Sequence, residues 1–212
     1  MQAEIERERQ KIVEIATTII PFEGWTEHAL KLSMKKADID PNLISIYFPN
    51  KLISVYEKLL EIIDYKHTSS LDFEYLKSLK VREKIFYLIK TRLEISKKYK
   101  ETLKTGSSLL SLPSNTLRGS KKLWLSVDKI WKLAGDNSLD FNYYSKRIIL
   151  SAVYASTLLY WFEDYSEAQK DTIIFLQNRI DDALKFGKFS NNIVNLPLKF
   201  TKLPFIRLIF NR

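Results

Sequence analysis

From Ile148 to Phe162 the chain runs fifteen residues without a charge. A helix needs about 20 apolar residues to span a bilayer, so this run reads as a buried helix and not a transmembrane one. A helix that is apolar on every side must be covered on every side. The protein's own core can do that, and so can a subunit interface or a bound lipid. Ser151, Ser156 and Thr157 interrupt the run without changing the requirement. Elsewhere, charged and apolar residues alternate at helical spacing, with only five glycines and six prolines as punctuation. This is the pattern of an all-α chain, and 212 residues suffice for one domain, or one and a small head, with a real core.

The helices can be placed in order. Ile5, Ile12, Ile15, Ala16 and Ile19 share a face of a first helix over 3–19, which Pro21 and Gly24 end. Thr26 caps a second helix to about Lys36. After a turn at Ala37–Pro41, Asp40-Pro41 opens a short third helix to Tyr47, which Phe48-Pro49-Asn50 breaks. A fourth covers 51–66, with a loop at 67–71. Residues 72–104 give one or two helices, in which Ile85, Leu88, Ile89 and Leu93 form a stripe with Lys and Arg on the other side. Gly106 to Ser114 reads as a loop, Pro113 or Ser114 opens a helix to Leu133, and two more follow at about 142–162 and 167–186. The short helix, turn, short helix order near the amino terminus resembles the helix-turn-helix head of TetR-type proteins.

Charge is unevenly spread. Net charge is −2 over residues 1–70, +9 over 71–135, −4 over 136–182 and +6 over 183–212. A duplex reader needs cations on its recognition helix. The candidate helix here, Pro41–Tyr47, has no Lys or Arg, and Asp38 and Asp40 lie at its start. Nucleic acid is therefore not an expected partner, and a TetR-type DNA-binding regulator is the alternative reading. The end of the chain is basic, apolar and free of acids. Leu196, Leu198, Lys199, Phe200, Lys202, Leu203, Phe205, Ile206, Arg207, Ile209 and Phe210 have the composition of an interfacial membrane anchor. Packing back on the domain would also cover them, and Pro197 and Pro204 oppose one continuous helix.

Catalytic chemistry has little to stand on. There is no cysteine, and the two histidines, His28 and His67, lie in no metal-ligand spacing. No Gly-rich phosphate loop occurs, and Asp181 and Asp182 diverge by about 100° on a helix. No enzyme activity, cofactor or metal is expected. The amino terminus mixes acids and bases from Glu4 to Arg9, unlike a signal or transit peptide. That reads as a cytoplasmic protein, peripheral on the inner membrane.

Residues 131–147 read Trp-Lys-Leu-Ala-Gly-Asp-Asn-Ser-Leu-Asp-Phe-Asn-Tyr-Tyr-Ser-Lys-Arg, a helix stop and a helix start crowded by Trp131, Phe141, Tyr143 and Tyr144. A corner packed by aromatics accounts for this physically. The string also resembles the signature of the Coq-nine family of ubiquinone-biosynthesis accessory lipid-binding proteins, Trp-x-x-Ala-Gly-Asp-x-Ser-Thr-Asp-Phe-Asn-x-Tyr-Thr-Lys-Arg, with Leu139 and Ser145 as mild departures. Pro21–Thr26, Leu79–Ile85, Ala152–Trp161 and Arg179–Asp182 match further family blocks in the same order.

The resemblance implies an all-α, TetR-like domain with a degenerate helix-turn-helix head (1–66), a lipid-binding and dimerising body (67–189) and a membrane-associating tail (190–212). It implies a non-catalytic protein that binds an isoprenoid quinone or its precursor and presents it to a hydroxylase, as a homodimer. Apolar positions within the family-like blocks mark Ile85, Leu88, Ile89, Trp124, Val153, Tyr154, Thr157, Leu158 and Trp161 as candidate lipid contacts. Asp128, Trp131, Lys132 and Tyr143 are the candidate partner contacts, with Lys132 standing where relatives often carry an aromatic residue.

Overall fold

A computed structural model describes residues 2–139 and 141–193, and every regular element among them is helical. The helices are α1 (Gln2–Glu23), α2 (Glu27–Lys36), α3 (Ile44–Tyr47), α4 (Leu52–Ser70), α5 (Phe73–Ser78), α6 (Val81–Ser96), α7 (Lys100–Ser111), α8 (Thr116–Leu133), α9 (Phe141–Phe162) and α10 (Lys170–Ile193). Short 3-10 turns precede α3, α7 and α10. The membrane-anchor residues Leu196 to Phe210 named above lie outside the described residues.

Helix α1 runs through Pro21 and not up to it. Proline has no N–H to give to the carbonyl one turn back, here that of Thr17. The Thr102 hydroxyl of α7 donates to that carbonyl instead, at 3.2 Å. The helix stops at Gly24, which takes a left-handed φ of 69°. Thr26 then caps α2, its hydroxyl accepting from the Ala29 N–H at 3.1 Å. Asp40 caps the turn into α3 by accepting from the Asn42 N–H. Helices α1 to α3 pack through Ile12, Val13, Ala16, Leu30, Met34, Ile44 and Phe48, all buried.

Two expected loops are helical. Residues 67–70 extend α4, because His67 is buried and Thr68 bonds back to the Asp64 carbonyl. Residues 106–111 extend α7. Gly106 lets that helix press against the rings of Tyr56 and Trp25, where a Cβ would meet a Tyr56 ring atom at 2.4 Å. The span 72–104 holds α5, α6 and the start of α7. Helix α8 begins at Thr116, a little later than Pro113 or Ser114.

A buried cluster runs from α1 through α4, α6, α8 and α9 to α10, and residue 66 falls inside α4. Helix α9 is not covered on every side. Leu150, Val153, Tyr154, Thr157 and Trp161 face the core. Ile148 and Leu159 are 56% and 66% exposed on its outer face, and Ile174 and Leu184 of α10 are exposed as well. Tyr160 stacks on Phe175 of α10, ring centroids 4.5 Å apart and 9° from parallel. No described helix is long and apolar enough to cross a membrane.

Candidate functional site

The signature stretch builds the corner between α8 and α9. Gly135, at φ 89°, ends α8 in a Schellman turn: its N–H bonds to the Lys132 carbonyl and the Asp136 N–H to the Trp131 carbonyl. The reversal delivers Asp136 beneath the start of α9. Arg147, only 1% exposed, lies between two carboxylates. Its Nε donates to Asp128 at 2.7 Å, and its Nη1 donates to Asp136 and to the Tyr143 carbonyl, each at 3.0 Å. Lys146 donates to Asp136 and Ser138, and Lys132 pairs with Asp128 at 2.7 Å. The Tyr143 hydroxyl donates to Asp128 at 3.0 Å, and its ring lies 3.5 Å from the guanidinium carbon. Trp131 donates from Nε1 to the Lys146 carbonyl at 3.2 Å.

These bonds set the charges. Burial alone would raise the Asp136 carboxyl, but the bonds from Lys146, Ser138 and Arg147 outweigh it and bring the pKa to about 2. Asp128 is lowered in the same way, burial opposing and Lys132, Arg147 and Tyr143 prevailing. Both carboxylates stay ionised and engaged at neutral pH, so the cluster pins two helices together and does not trade protons there.

A second buried polar group sits deeper. Arg92 pairs with Asp64 and donates from Nε to the Tyr154 hydroxyl at 2.7 Å. Lys129 donates to the Asp64 carbonyl at 3.1 Å. His67 lies close by, its Nε2 buried without a hydrogen-bond partner among the described residues. Burial, aided by the Arg92 guanidinium, lowers its pKa to about 4.

Of the candidate lipid contacts, Ile85, Leu88, Ile89, Val153, Tyr154, Thr157 and Trp161 are buried in the common core, with Leu158 half-buried against it. Trp124 is elsewhere, packed at the corner against Tyr143 and Tyr144 with centroids 6.3 Å away from each. The four candidate partner contacts do come together: Asp128 and Tyr143 inside the charged cluster, Trp131 over it, Lys132 at its rim. Leu139, in the turn that follows α8, is 94% exposed. The sequence reading passed over Arg147, Lys146 and Asp136, and put arginine on the outer side of α6, where Arg92 is in fact buried. The available signal was spacing. Arg147, Leu150, Tyr154, Thr157 and Trp161 form one inward stripe of α9, and Arg92 continues Ile85, Leu88 and Ile89. Asp181 and Asp182 pair with Arg82 and Arg179, as solvated partners of basic residues. Among the described residues no group of three His, Asp or Glu side chains could hold a metal ion.

The COQ9 family model matches residues 117–187, the span from α8 through most of α10. Over 194 residues the chain is 28% identical to the probable ubiquinone biosynthesis protein coq9, mitochondrial, of Dictyostelium discoideum, covering 86% of this chain and 62% of that protein. It is also 28% identical over 198 residues to the ubiquinone biosynthesis protein COQ9, mitochondrial, of Homo sapiens, covering 89% and 61%. The chain thus spans less than two thirds of the length of these relatives. Among solved structures, the TetR transcriptional regulator from Nitrosomonas europaea matches with a TM-score of 0.68 at 18% identity, over 83% of this chain and 97% of that one. The chain is similar to the COQ9 proteins, with the family-model match lying across the charged corner and α9, and it has a TetR-like all-α fold.

Proposed function

We propose that this chain is a non-catalytic accessory protein of ubiquinone biosynthesis, which takes an isoprenoid quinone precursor at a membrane surface and presents it to a hydroxylase. The observation that carries the reading is the similarity to COQ9 ubiquinone-biosynthesis proteins along most of the chain, with the family match centred on the corner and on α9. The physical need is plain: a polyprenyl tail costs about 0.8 kcal/mol per CH₂-sized unit exposed to water. In this reading the apolar side chains of α6 and α9, among them Leu88, Ile89, Val153 and Leu158, part to admit the tail. The corner around Trp131 receives the hydroxylase, and the outer face of α9 and α10 meets a second copy. The protein works at the cytoplasmic side of an inner membrane, held there by residues 190–212.

Mass spectrometry of lipids co-purified from a quinone-making host tests the reading. Isoprenoid quinones or their precursors at near-stoichiometric amounts are the expected result, and protein that is folded but lipid-free contradicts it. Truncation after Phe189 should abolish flotation with anionic liposomes, and unchanged flotation would remove the tail from the account. The regulator reading has the TetR-like fold in its favour, but α3 still offers a duplex no cation. A sharp footprint on duplex DNA at moderate salt would revive it.

A further inference from the structure

Four helices bring polar groups together inside the apolar core. Asp64 and His67 come from α4, Arg92 from α6, Lys129 from α8 and Tyr154 from α9. Leu88 and Ile89 of α6 and Val127 and Ile130 of α8 belong to the same buried cluster. Arg92 is 4% exposed and His67 1%. Apolar residues often hold a core as well as a buried ion pair does, so packing alone does not call for this centre.

Most of its groups are engaged. Arg92 pairs with Asp64, whose backbone carbonyl accepts from Lys129. The Tyr154 hydroxyl accepts from Arg92 Nε at 2.7 Å, which leaves its own proton to give. His67 differs. Its Nδ1 has the Leu88 carbonyl to donate to, while Nε2 is buried with no hydrogen-bond partner among the described residues. Burial keeps the ring neutral, so a proton on Nδ1 makes Nε2 a bare lone pair. A buried acceptor of this kind is unfavourable until a donor meets it.

We infer that this centre reads the ring of the bound lipid, and that His67 Nε2 selects a head carrying a hydroxyl, a phenol or a hydroquinone, over a quinone. The hydroxyl donates to Nε2, and Tyr154 can donate to a second oxygen on the same ring. A quinone has no O–H and leaves Nε2 bare. The ring reaches the centre as α6 and α9 part for the tail, so the inference rests on the quinone-presenting reading.

Equilibrium dialysis of the full chain against 2-geranylphenol and 2-geranylanisole is the test. The two share tail and ring, and the methyl ether lacks only the donor. The phenol should bind about tenfold tighter or more, because a site built for a hydroxyl rejects the analogue that lacks it. His67→Phe should bring the ratio close to one by tightening the ether relative to the phenol, with the helical circular dichroism unchanged. His67→Gln keeps a side-chain acceptor and should retain a severalfold preference. Equal binding of the two by the unaltered chain overturns the inference and leaves the lipid-presenting reading standing. It is also the result expected if a buried water satisfies Nε2. A preference that survives His67→Phe unchanged overturns it too. Binding of neither compound overturns both readings.

Discussion

Removing the Arg147 guanidinium would leave Asp128 and Asp136 each with one lysine, Lys132 and Lys146. Arg147→Met should cost about 1–3 kcal/mol, read as a fall in urea midpoint, because each carboxylate loses a charged hydrogen bond while its side chain stays mostly buried. The triple change with Asp128→Asn and Asp136→Asn should recover part of that loss, since no carboxylate is then held inside. His67 makes a separate pH-dependent demand. Its folded pKa of about 4 lies below the ordinary 6.5, so the fold holds a neutral imidazole that the unfolded chain would protonate. Stability is intact above about pH 6.5 and drains as pH falls toward 4, by roughly 3 kcal/mol in all. In His67→Gln the urea midpoint should lose most of its slope across that window, leaving the lower window in which Asp136 and Asp164 protonate. These residues were hard to read in advance for one reason. A charge is assigned by default to the solvent side, and only its register within an apolar stripe, 147–150–154 or 85–88–92, says otherwise.

At the scale of elements, Gly106 decides how closely α7 approaches α4. Alanine gains about 1 kcal/mol in helix propensity, but its Cβ would overlap the Tyr56 and Trp25 rings. Overpacking of this kind costs about 1–3 kcal/mol. Gly106→Ala should therefore lower the thermal midpoint, and Tyr56→Leu should make the same substitution neutral or favourable. The glycine was read as a loop signal because intrinsic propensity favours that, whereas the contact that keeps it helical is 50 residues away in sequence. Distance in sequence also hid the fate of Pro21, whose orphaned carbonyl partner finds a donor on α7, 85 residues away. Local capping was legible throughout: Thr26, Asp40 and Gly135 act where their chemistry placed them, because a cap and its target lie within a few residues.

For the whole molecule, the uncharged run of α9 is half answered. Its inner stripe is covered by the chain itself, and its outer stripe is left to another surface. The proposed pairing predicts a sedimenting species of twice 25.0 kDa, and Leu159→Glu should shift it to the single mass without loss of helix content. The all-α class could be read from periodicity, but which side of α9 stays open could not, because a continuous apolar run has no polar face to mark it. The Thr102–Thr17 bond has a consequence for cooperativity. It joins α1 to α7 through a carbonyl that would otherwise be unsatisfied, so α1 cannot loosen alone without exposing that group. Scanning calorimetry should find one endotherm whose calorimetric and van't Hoff enthalpies agree, and Thr102→Val should split or broaden it from the low-temperature side.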